Sequence, residues 1–147
     1  GRLCDLAARY RLAANVEPMP WVEVSSVSKT KRVLDQAARK NSALLVDAIH
    51  FFREENKLEQ LQEIRLNYMQ LCDARPERPA DMQEIIRQAR ADRLFPGEGG
   101  LDLQGLMRAL PRELPISVEI PYAKPMAPLE RAQRALAATR LLLSRVA

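Results

Sequence analysis

The stretch Ala43-Leu44-Leu45-Val46-Asp47 is a short apolar run that ends on a carboxylate, and the chain repeats that design three more times. The other runs are Ala13-Ala14-Asn15-Val16-Glu17, Asn67-Tyr68-Met69-Gln70-Leu71-Cys72-Asp73 and Ile116-Ser117-Val118-Glu119-Ile120. Turn or helix signals follow each run, as they follow buried parallel strands. Side chains alternate faces along a strand, so Asn15 pairs with Glu17, Leu45 with Asp47, Gln70 with Cys72 and Ser117 with Glu119, each pair on one face. A buried carboxylate is costly unless it is paired or metal-bound. Three carboxylates and an amide at the same ends of successive strands therefore predict a site, with a divalent cation as its occupant.

Helical signals fill the spaces between these runs. Leu3, Leu6, Ala7 and Tyr10 recur at helical spacing over 2–10. Ser25, Ser26 and Ser28 offer caps to a helix reaching about Lys40 on the stripe Val33, Leu34, Ala37 and Ala38. A polar helix is predicted near 57–64, and another from an Asp81 cap to about Arg90. A third spans about 103–110, and a final one opens with Pro128 near its first turn. The two-proline segment 75–80 and the glycine-rich segment 95–100 read as loops.

Alternating strand and helix implies a parallel sheet with helices outside. Four such units are too few for an eight-stranded barrel of about 250 residues. An open four-stranded sheet or half of a (β/α)8 barrel remain, and the ligand-like strand ends favour the half barrel, since barrel enzymes place their chemistry there. A doubly wound nucleotide fold needs glycines after its first strand, where this chain has Glu17-Pro18-Met19-Pro20. The 147 residues read as one domain with room for a substantial core.

The net charge of +4 is no nucleic-acid footprint. Most of it comes from 128–147, where Arg131, Arg134, Arg140 and Arg145 face only Glu130, on what reads as the solvated side of an amphipathic helix without interleaved aromatics. Cys4 and Cys72 lack zinc-ligand spacing and fit a reduced, cytoplasmic protein. No run is apolar for long enough to span a bilayer, and no signal peptide is visible. Cys72 has no basic neighbour in sequence and reads as a small core residue.

Five motifs in order, Val-Glu17-Pro-Met-Pro-Trp, Asp47-Ala-Ile-His50-Phe-Phe-Arg, Gln70-Leu-Cys-Asp73-Ala, Arg93-Leu-Phe-Pro-Gly-Glu-Gly and Ile-Ser-Val-Glu119-Ile-Pro, resemble the C-terminal half of the sugar phosphate isomerase/epimerase family, the xylose-isomerase-like TIM barrels. The resemblance covers nearly the whole chain and implies one incomplete barrel domain over 1–147, holding the last four strand–helix units. It implies that Glu17, Asp47, Gln70 and Glu119 hold a divalent metal. Gln70 stands where the family usually has histidine, and an amide oxygen suits a hard ion, so Mn²⁺ or Mg²⁺ is expected in preference to Zn²⁺. The resemblance further implies that Glu17 and Glu119 act as catalytic acid and base, that His50 lies near the substrate oxygens and that Arg93 orients the substrate.

The function so implied is a metal-dependent isomerase or epimerase of carbohydrate metabolism. Its substrate is a small sugar, sugar phosphate or polyol, and its reaction starts by proton abstraction next to a carbonyl. An inosose-dehydratase-like lyase of the same superfamily uses the same metal and base. A non-catalytic binding or assembly domain that has lost the metal is the alternative from another class, motivated by Gln70. A repair nuclease is disfavoured, because the chain has a single histidine. A small molecule, rather than nucleic acid or membrane, is the expected partner. Bare sheet edges call for a completing half barrel, either a second copy, another chain or, given the start at Gly1, a longer native chain.

Overall fold

The computed structural model describes residues 1–146, so Ala147, the end of the arginine-bearing stretch, lies outside the described residues. The chain runs α1 (Arg2–Ala8), β1 (Ala14–Val16), α2 (Val27–Ala37), β2 (Ser42–Asp47), α3 (Ala48–Phe52), a 3-10 helix (Leu58–Glu63), β3 (Leu66–Leu71), α4 (Met82–Ala91), α5 (Leu103–Ala109), β4 (Ile116–Val118) and α6 (Pro128–Ser144). The four strands form one parallel sheet in the order β1-β2-β3-β4. Sequential order with every neighbour parallel is the arrangement of a partial (β/α)8 barrel.

The two faces of the sheet differ in what covers them. Leu44, Val46, Met69 and Leu71 point to the helix side and are at most 2 % exposed. There they join Val27, Ala89, Leu103, Leu106 and Leu142 from the surrounding helices in one core. Each of the valines, leucines and Met69 so buried contributes about 1.5–3 kcal/mol. On the opposite face Tyr68 and Gln70 are half-buried and Ser117 is exposed. β2 is central and buried along its whole length, which is why its sequence is the least interrupted apolar run.

Register brings the strand ends level. Asp47 lies opposite Gln70, and Gln70 opposite Ser117. Leu44 is paired with Leu66 but Leu45 with Tyr68, so Asn67 is an extra residue in β3. That one-residue bulge sets Gln70, rather than Met69, beside Asp47.

Three elements differ from the sequence expectation. α3 starts directly at the end of β2, ahead of the polar helix expected near 57–64, because the five residues Ala48–Phe52 are too few to show helical periodicity. The polar helix near 57–64 is a 3-10 helix. Arg134 of α6 is also less free than a solvated face implies: its guanidinium lies 4.5 Å over Phe95 and bonds Glu98. Leu129 and Leu136 of the same helix are exposed. Among the described residues no helix is long and apolar enough to cross a membrane.

Candidate active site

Asp47 organises the site because its two oxygens do different work. Oδ1 caps α3, accepting from the backbone N–H of Ile49 at 3.0 Å and of His50 at 3.5 Å. That cap turns the chain at the strand end and sets His50 three residues on, on the same side. Oδ2 accepts from Nη1 of Arg93 at 2.7 Å. Arg93 is itself held by a 2.6 Å bond from Nε to the Ala89 carbonyl at the end of α4. The same Nη1 lies 3.1 Å from Oε2 of Glu119, just beyond β4. Asp47, Arg93 and Glu119 thus form one ion cluster across β2, α4 and β4.

Glu17, one residue past β1, enters from the other side. Its Oε1 lies 3.6 Å from Nε2 of His50, which is in turn 3.9 Å from Oδ2 of Asp47. One ligand atom each from Glu17, Asp47 and His50 fall within 4.8 Å of one another. Those distances exceed hydrogen-bond length and match the spacing of donors around one cation. Two further oxygens on the same face are buried without a hydrogen-bond partner: Oε1 of Gln70 and Oδ1 of Asn15. Buried polar atoms rarely go unpaired, so orphaned acceptors beside a carboxylate cluster fit a cation.

Electrostatics separates the groups. Burial, reinforced by the charges of Asp47 and Glu119 and opposed by Arg93, raises the Glu17 carboxyl to about 7. Glu119 is raised as well, through burial, with Arg93 pulling against it. Burial and the Arg93 charge push His50 down to about 3, which leaves a neutral imidazole at pH 7. Burial lifts the Cys72 thiol to about 12, so it is protonated and is no nucleophile.

Glu17, His50, Arg93 and Glu119 line one cleft of about 410 Å³. Trp21 and Arg90 line it too, and neither is among the site residues expected from sequence. Trp21 packs edge-on against His50 with centroids 5.0 Å apart. Its place four residues after Glu17 was the available signal; Arg90 looks like any solvated helix arginine. Asp73 takes no part, since its carboxylate is consumed by a backbone loop.

Solved structures share this architecture. A xylose isomerase-like TIM barrel/4-hydroxyphenylpyruvate dioxygenase fusion protein superposes with a TM-score of 0.82 at 21% identity, over 99% of this chain and 24% of its own. An IOLI protein with a bound zinc atom gives 0.79 at 23% identity, over 99% and 54%. The 3-keto-D-glucoside 4-epimerase YcjR of E. coli gives 0.70 at 20% identity, over 97% and 50%. The chain thus spans about a quarter to about half of the length of these proteins. No curated protein matches it in sequence. The family model described as xylose isomerase-like TIM barrel matches residues 1–142, and the chain belongs to that family.

Proposed function

We propose that this chain carries the catalytic strand ends of a divalent-metal-dependent isomerase or epimerase acting on a small sugar, sugar phosphate or polyol. The observation that carries the reading is a carboxylate oxygen of Glu17 and one of Asp47 within 4.8 Å of each other, beside the unpaired Oε1 of Gln70 and a cleft lined by Glu17, His50, Arg93 and Glu119. Glu17, Asp47, Gln70 and Glu119 would hold the ion, one oxygen donor from each strand end. Mn²⁺ or Mg²⁺ suits an all-oxygen set. Bound there, the metal would polarise the substrate carbonyl and so acidify the adjacent C–H.

The rest falls to the side chains. Glu17 and Glu119 stand past the first and last strands of the sheet, so a substrate between them is flanked on both faces. One carboxylate takes the proton as the C–H electron pair moves toward the carbonyl oxygen. The other returns a proton to the opposite face, which inverts the centre. A carboxyl near 7 is poised to exchange a proton at neutral pH. Neutral His50 can donate to a substrate oxygen, and Arg93 fixes the orientation of Asp47 and Glu119. His50→Asn tests this division of labour: bound Mn²⁺ is retained while turnover drops about 100-fold. Loss of the metal in that variant would instead make His50 a ligand.

The 2.7 Å and 3.1 Å contacts of Arg93 with Asp47 and Glu119 support a second reading, a binding domain in which the guanidinium replaces the ion. Mn²⁺ loading separates the two readings, since the second requires that none be taken up.

A further inference from the structure

The charges in and directly behind the cleft do not cancel once the proposed ion is counted. Glu17, Asp47 and Glu119 bring three negative charges, which Arg93 and a divalent cation together balance. Arg90 is then the surplus. It sits in the last turn of α4, its side chain is exposed, and among the described residues no carboxylate pairs with it. Its neighbours are engaged: Arg87 bonds Glu84 and Asp92, Arg75 meets Asp92, and Arg93 holds Asp47. The Arg90 guanidinium carbon lies 5.8 Å from the centroid of the Trp21 ring, over its face. That indole in turn meets His50 at 5.0 Å. An aromatic face beneath a guanidinium restricts its motion while leaving its N–H donors free for a planar or tetrahedral oxyanion.

We infer that Arg90, seated on Trp21, is a specificity-determining residue that selects substrates carrying an anionic substituent, a carboxylate or a phosphate, at the end remote from Glu17 and Glu119. The inference rests on the metal-dependent reading above for its charge balance. Reach supports the assignment. Trp21 separates Arg90 from His50, so an anion on Arg90 leaves the rest of a small polyhydroxylated chain lying along the indole toward the acid–base pair. A neutral sugar would leave the surplus charge unanswered.

Trp21 is the single tryptophan of the chain, so its fluorescence reports occupancy of this cleft without any need for turnover. Titrations with fructose 6-phosphate, gluconate and fructose, in Mg²⁺ and again in EDTA, test the proposal in the wild-type chain, Arg90→Ala and Arg90→Lys. The wild type should bind at least one of the two anions more tightly than fructose. Arg90→Ala should weaken that anion about tenfold, the scale of one charge-assisted hydrogen bond, and leave fructose unchanged. Arg90→Lys should recover part of the loss, because it keeps the charge and loses the fork. The tighter anion identifies the substituent. An anion response that vanishes in EDTA and ignores Arg90→Ala belongs to the metal and overturns the proposal, as does a wild type that does not distinguish anions from fructose. Arg90-dependent binding that is indifferent to Mg²⁺ keeps the anion subsite and sinks the metal reading instead.

Discussion

Two aspartates lie almost fully buried at the ends of neighbouring strands, and they do opposite things. Asp73, two residues past β3, accepts from the backbone N–H of Ala74 at 2.8 Å, Gly97 at 2.9 Å, Gly99 at 3.0 Å and Leu101 at 3.1 Å. Every acceptor direction is taken by the chain itself, and the carboxylate becomes the pin on which residues 97–101 are wound. Asp47 gives one oxygen to its own helix and turns the other toward Arg93, His50 and Glu17. Burial alone therefore does not mark a functional carboxylate. What distinguishes Asp47 is that its outward oxygen meets other titratable side chains rather than peptide groups.

The largest expected effect is on turnover. Glu17→Gln or Glu119→Gln should lower kcat about 100- to 10,000-fold with the fold intact, the range for removing a general acid or base. Unchanged steady-state kinetics in either variant would remove that residue from the chemistry. Asp73→Asn presents an amide to four N–H donors and should cost about 3 kcal/mol in denaturant unfolding. If its stability matches that of wild type, the pin is ornamental.

A smaller effect belongs to Gly99. A Cβ there would run into the Ala74 carbonyl and the Asp73 carboxylate. Gly99→Ala should cost about 2 kcal/mol by crowding, read from the same denaturation curve. Gly97 supplies the turn's positive φ of 86° and adds nothing to the cleft.

The smallest expected effect is on pH dependence, and its sign follows from two opposed groups. Glu17 titrates at about 7 when folded against 4.5 ordinarily, so the folded chain holds the extra proton and stability on its account falls as pH rises across that window. His50 titrates at about 3 against 6.5, so on its account stability rises over its own window. The two oppose each other between 4.5 and 6.5. Glu17→Gln removes the falling contribution, so metal-free stability in this variant should climb more steeply with pH there than in wild type. Parallel profiles would mean that Glu17 is not perturbed by its site.

Much of this was legible in the chain. β2 is the most visible strand because a strand buried on both faces must be apolar, and it lies within one residue of its predicted start. The carboxylates at the strand ends stand out against those apolar runs. What could not be read is whatever depends on distant partners. The bulge at Asn67 decides that Gln70 faces Asp47, yet nothing local announces it. Arg93 reaches Asp47 across 46 residues, and the N–H groups that consume Asp73 lie mostly 24 to 28 residues on. Arg90 looks like any helix-surface arginine until the fold sets it over Trp21.

Manganese content after Mn²⁺ loading and desalting, measured side by side on wild type, Asp47→Asn and Asp73→Asn, decides whether Asp47 and not Asp73 holds an ion. About one ion per chain is expected in wild type and in the folded fraction of Asp73→Asn, and none in Asp47→Asn. A wild-type chain that takes up no ion, or an Asp47→Asn variant that holds as much as wild type, would contradict that role for Asp47.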